Sequence, residues 1–224
     1  SLPSGYLTNL CDICYMYQII QYYKKEEGDV YPVSNETLRQ WLLLIYKVPQ
    51  DPTRFRTYLW RQMRMLGALN LQQMVCLLPK TPDLESEFMR LAYKIEEFGG
   101  EANLLTITSP SKEWEDRIIA GFNATVDEEY AEIAENEERF QDEIRRESRK
   151  QKFTFTELED MEADREKISR EMAKVQARDF FGAPGRLIAE AQMTESRKLF
   201  EEFSRKVYAH EGVEEPAGME KGNK

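Results

Sequence analysis

The side chains best suited to chemistry in this chain are arginines. Arg54, Arg56, Arg61 and Arg64 fall within one short segment, TRFRTYLWRQMRMLGAL. At about 100° per residue on a helix, Arg54, Arg61 and Arg64 project within roughly 80° of one another. They flank an apolar face of Phe55, Leu59, Met63 and Leu66, with Trp60 close by. A guanidinium is planar, always charged and rich in N–H donors, which suits it to phosphate or another tetrahedral oxyanion. The cluster can meet a DNA backbone or a small oxyanion. It can equally pair with Asp and Glu of downstream helices, and the residue types alone leave both readings open. Lys47, Arg90 and Lys94 are secondary basic candidates.

Other chemistry is thinly supplied. The single histidine, His210, lies in a polar tail, so no Ser-His-Asp or Cys-His arrangement can be built around a core. The chain has no GxxxxGK[ST] phosphate loop and no GxGxxG. Asp51, with Glu101 as a conceivable partner, is where a metal-dependent nuclease site would sit, but an aspartate in that place is more often a helix cap. Cys11 and Cys14 form CDIC. A structural zinc site needs four ligands, and only Cys76 in an apolar run and His210 could complete it. Two cysteines three apart share a helical face, so a packed pair is the simpler reading. No catalytic residue, metal or cofactor is assigned.

The elements that must position the arginines follow from periodicity. Trp41 to Val48 is an apolar run of strand length, stopped by Pro49 and Pro52. The arginine helix follows and ends at Gly67. Ala68 to Leu78 reads as strand, broken near Gln72–Gln73 into a hairpin or bulge and ended by Pro79. Asp83 can cap a second helix with Leu84, Phe88, Leu91, Ile95 and Phe98 inward, stopped by Gly99–Gly100. Glu101 to Thr108 is a last strand. The order β-α-β(β)-α-β predicts an α+β domain over 41–109, a ferredoxin-like antiparallel sheet with two helices on one face.

After Pro110 the texture becomes highly charged and helical. Trp114, Ile118, Phe122, Val126, Tyr130, Ile133, Phe140 and Ile144 mark a long amphipathic helix with a candidate break at Gly121. Its glutamate-rich stretch from Glu128 to Glu143 reads as a solvated face. Thr156 with Glu159 can form a capping box for a second long helix. Phe180 to Gly185 breaks that helix. A last one runs from about Leu187 to Tyr208, with Leu187, Ala191, Met193, Leu199, Phe200 and Phe203 inward. Residues 110–208 thus form a long antiparallel helical hairpin region, helix-rich overall. Residues 209–224 are a flexible tail, and 1–40 an N-terminal helical arm with Tyr6, Leu10, Ile13, Tyr17 and Ile20 on one face.

The net charge is −10, unevenly spread. Residues 41–109 hold eight Lys/Arg against seven Asp/Glu, and 110–224 hold twenty against twenty-nine. An acidic overall field opposes nucleic acid, so any DNA contact must come from a local basic patch. No apolar run is long enough to span a membrane. Leu2 to Ile20 is interrupted by polar residues and has no basic leader, which predicts no signal peptide. Three cysteines cannot all pair, which favours a reducing cytoplasm.

WLLLIYKVP, the YLWRQMRMLGAL segment, the VCLLP strand, FGGEANLLTI and ARDFFGAP occur in order between about Gln40 and Phe203. On these motifs the sequence resembles the N-terminal domain of ChrB, the bacterial chromate-resistance regulator family. The resemblance implies a non-enzymatic, chromate-responsive transcriptional regulatory module. It assigns Arg54, Arg56, Arg61 and Arg64 to DNA phosphates or oxyanion, with Lys47, Arg90 and Lys94 secondary. It makes DNA and chromate the candidate partners and a homodimer the expected assembly. Longer members of the family carry a C-terminal domain after this region, and none is expected within these 224 residues. The alternative is a protein–protein interaction or dimerisation module without DNA contact, using the acidic helices and the tyrosine-rich arm.

Overall fold

The computed structural model describes residues 38–49, 51 and 53–213. The helical arm of 1–40 (up to residue 37), its CDIC motif, Pro52 and the tail beyond residue 213 lie outside the described residues. The described chain runs β1 (Gln40–Lys47), α1 (Arg54–Met65), β2 (Leu69–Gln72), β3 (Val75–Pro79), α2 (Pro82–Glu97), β4 (Glu101–Thr108), α3 (Lys112–Arg149), α4 (Phe155–Gln176) and α5 (Gly185–Glu211). The four strands form one antiparallel sheet in the order β2-β3-β1-β4, the ferredoxin-like order the sequence predicts.

The central strand explains its own composition. β1 pairs with β3 on one side and β4 on the other, so Leu43 faces both Leu77 and Leu105 across the ladders. Both of its faces are covered, which is why it reads as a continuous apolar run rather than an alternating one. Leu42 and Leu44 point into a core with Leu59 and Met63 of α1 and Phe88, Leu91 and Ile95 of α2. Trp41 and Leu43 point the other way, onto Ile118 and Phe122 of α3. The hairpin between β2 and β3 turns at Gln73–Met74, and Met74 takes a positive φ of 63°.

Trp41 is the pivot between sheet and helices. It is fully buried, and its ring stacks on Phe122 at 5.8 Å and meets Phe181 at 5.9 Å. Its Nε1–H donates to Ser109 Oγ at 2.7 Å. Glu115 at the start of α3 accepts from the Arg39 backbone N–H at 2.8 Å and lies 3.2 Å from the same Ser109 hydroxyl. Burial raises the Glu115 carboxyl, but these donors and Lys112 more than offset that, and it stays lowered.

Beyond the sheet, α3, α4 and α5 close a three-helix bundle around Tyr130, Ile133, Phe140, Met161, Met172, Phe200 and Phe203. The corner between α4 and α5 is built by Asp179. One carboxylate oxygen accepts from the Gly182 and Ala183 backbone N–H groups at 2.9 Å each, and the other accepts from the Tyr130 hydroxyl at 3.1 Å. The ARDFFGAP motif is therefore a docking corner, with Phe180 and Phe181 packed against Phe122.

Several local expectations are corrected. Thr81, not Asp83, caps α2, with Pro82 at the first helical position and Asp83 in the first turn. Thr154, not Thr156, caps α4, accepting from the Glu157 N–H. α3 is unbroken at Gly121, which instead lets the helix approach β2: a Cβ there would lie 3.2 Å from Leu69. Leu187 and Ala191 face solvent, because helix phase places Ala189, Ser196 and Phe200 inward. The Glu128–Glu143 stretch of α3 is not wholly solvated, since Glu137 is buried, and Glu115 and Glu147 outside that stretch are buried as well.

Candidate anion and nucleic-acid interface

α1 presents its arginines because its other side is fixed by packing. Leu59 and Met63 are buried, Phe55 stacks on Phe98 at the C-terminal cap of α2 at 4.0 Å, and Tyr58 meets Phe98 edge-on at 5.7 Å. With that face held against the sheet, Arg54, Arg61 and Arg64 share the solvent side, as their phase requires. Arg56 is also exposed but lies on the flank next to Met63 in phase, outside the stripe. Trp60 is 55% exposed, and the Arg64 guanidinium lies over its ring at 5.6 Å.

The partners divide the set. Arg64 pairs with Glu129 of α3 at 3.5 Å, and the same carboxylate is held by Arg178 at the α4–α5 corner. Arg54 rests on its neighbour Phe55, 5.2 Å from the ring centroid. Among the described residues Arg54, Arg56 and Arg61 have no acidic partner. Arg90 of α2 reaches across to Gln62 of α1 at 3.3 Å while paired with Glu87 at 2.7 Å. Glu87 and then Tyr58 hold the Arg90 guanidinium above its ordinary pKa. Lys94 is paired with Glu97 at 2.6 Å, which raises it likewise. Arg90 and Lys94 thus border the stripe with much of their charge already answered. Lys47 is exposed at the end of β1, opposite Glu101 in the ladder, and no contact joins it to the stripe.

Two residues that organise this surface were not singled out by the sequence. Gln62 bridges α1 to α2, and Glu129 links α1 to the bundle. Gln62 could have been found from helix phase, which sets it between the stripe and the core. Glu129 carried no distinguishing signal within a run of acidic residues.

Other chemistry is weakly supported by geometry. Among the described residues no group of three or more His, Cys, Asp and Glu side chains could hold a metal ion. Asp51 and Glu101 are both exposed. Cys76 is buried and donates to Asn70 Oδ1 at 3.0 Å, and burial pushes its thiol up to about 11, far from the thiolate a reactive cysteine needs. No described helix is long and apolar enough to cross a membrane.

The chain belongs to the ChrB N-terminal family, the chromate-resistance regulator family that its motifs resemble. The family's sequence model, described as "Protein ChrB, N-terminal", matches residues 56–214, from within α1 to beyond the end of α5. Among curated proteins it is similar to "Protein ChrB" of Cupriavidus metallidurans, with 32% identity over 101 residues. That alignment covers 45% of this chain and 30% of the relative. No solved structure matches.

Proposed function

We propose that the chain is a cytoplasmic, non-enzymatic regulatory module that controls transcription in response to chromate, with the outer face of α1 contacting DNA phosphates or oxyanion. One observation carries this reading. In a protein of net charge −10, Arg54, Arg56 and Arg61 stay exposed and without an acidic partner among the described residues. Unpaired guanidinium groups beside an exposed indole suit a polyanion. Trp60 adds exposed aromatic surface for stacking along the same helix. The module would act as a homodimer, so that two α1 faces meet two half-sites.

A second reading, an interaction or dimerisation module without DNA contact, is favoured by the Arg64–Glu129–Arg178 link, which already spends one stripe arginine inside the protein. The test is fluorescence anisotropy with the promoter DNA beside the protein's own gene, with and without chromate. Binding that shifts with chromate is the expected result. Absence of binding at low salt favours the interaction module.

A further inference from the structure

A cleft of about 470 Å³ opens on the bundle between α4 and α5, with α3 beneath it. Its charged and serine lining is Glu137 of α3, Arg165, Glu166, Ser169 and Arg170 of α4, and Ser196 and Arg197 of α5. Three guanidinium groups border this cleft in an acidic protein, Arg165 and Arg170 on α4 and Arg197 on α5, and their partners do not account for them. Arg170 reaches only the exposed Glu166, at 3.5 Å. Arg197 is exposed and has no ion-pair partner among the described residues. Arg165 lies over the Phe200 ring, 4.5 Å from its centroid, and has no ion pair among the described residues.

The floor of the cleft holds the second observation. Glu137 is 2% exposed, and its Oε2 has no hydrogen-bond partner. A buried polar atom without a partner is rare and calls for a ligand or a functional cause. Burial pushes this carboxyl above its ordinary value, against the pull of the Ser196 hydroxyl and Arg165.

We propose that this cleft binds a tetrahedral oxyanion that retains one proton. Arg165 and Arg197 meet its negative oxygens, the Ser169 hydroxyl donates to a third, and the ligand's own O–H donates to Glu137 Oε2. An oxyanion with no proton would set a bare oxygen against a bare carboxylate in a buried place, which repels. Hydrogen phosphate and hydrogen chromate keep such a proton near neutral pH, and sulfate does not. The site uses none of the α1 arginines, so it stands or falls apart from the DNA-contact reading.

Isothermal titration calorimetry on the full chain at pH 7 and fixed ionic strength tests this with sodium phosphate, sodium chromate and sodium sulfate. One saturable site for phosphate, chromate or both is expected, with sulfate weaker by at least roughly tenfold. Arg197→Ala and Arg165→Gln should each weaken binding by roughly tenfold, the loss of a charged hydrogen-bond donor. Glu137→Gln should erase the preference over sulfate. A lack of saturable heat with both phosphate and chromate would overturn the proposal, as would equal affinity for sulfate. So would unchanged binding by variants that still melt cooperatively. Should Arg165→Gln fail to fold, the exposed Arg197→Ala decides alone.

Discussion

At the scale of single residues, the same side-chain type plays opposite parts according to what faces it. Arg61 is exposed without an acidic partner among the described residues, whereas Arg178 is 17% exposed and held by Glu129, itself 11% exposed. Glu129→Gln should therefore cost about 2 kcal/mol in urea denaturation, because it strands a largely buried guanidinium, whereas Arg61→Ala should change stability by less than about 0.5 kcal/mol. Glu137 gives a pH-dependent counterpart. Its folded pKa is raised from 4.5 mainly by burial. A raised carboxyl contributes its stability below the ordinary carboxylate range and loses it as pH rises through the folded value. The charged groups around it are Arg165, Glu166, Arg170 and Arg197 of the facing helices. Glu137→Gln should melt above the parent at pH 7, by about 1 kcal/mol because the cleft side still meets water, and the gap should vanish near pH 3.5. Thermal melts at the two pH values check this. The stripe was legible in the sequence because helix phase is local. Glu129 and Glu137 were not, because the partners of Glu129 come from α1 and the α4–α5 corner and those of Glu137 from α4 and α5, all far away along the chain.

At the scale of elements, the contact between α1 and the bundle rests on glycine. Gly67 ends α1 with a φ of +69°, and a Cβ there would lie 2.6 Å from Arg178 Cβ. Gly67→Ala combines backbone strain with a collision against a docked corner, and should cost about 2–3 kcal/mol in equilibrium unfolding. Gly182→Ala has the same sign of φ but open space around it, so it should cost only about 1 kcal/mol. The strands, both sheet-packed helices and the bundle helices were legible from apolar spacing and from Pro and Gly punctuation. Cap positions slipped by two residues at α2 and α4, since Thr81 competes with Asp83 and Thr154 with Thr156, and only the observed backbone picks the one that accepts a helix N–H. At Leu187 of α5 hydrophobicity points inward but helix phase turns the side chain to solvent.

At the scale of the molecule, the sheet and the bundle share a core through Trp41, Phe122 and Phe181. Trp41→Ala should cost about 4 kcal/mol and loosen both at once, seen as a single lowered transition in fluorescence and far-UV circular dichroism melts. No local pattern marks one tryptophan as serving both sides, because that depends on α3 crossing the sheet. That shared core fixes the orientation of α1 with respect to the acid-rich helices, leaving its stripe as a local positive feature on a negative protein. A polyanion approaching it gains from counterion release but must overcome the wider field. The most direct measurement is the slope of the logarithm of DNA affinity against the logarithm of salt, for the parent and for Arg54→Ala plus Arg61→Ala. Phosphate contact by both arginines predicts a steep negative slope that becomes shallower by about 2 in the double variant. A slope unchanged by the two substitutions, or no binding to DNA at low salt, would contradict the account.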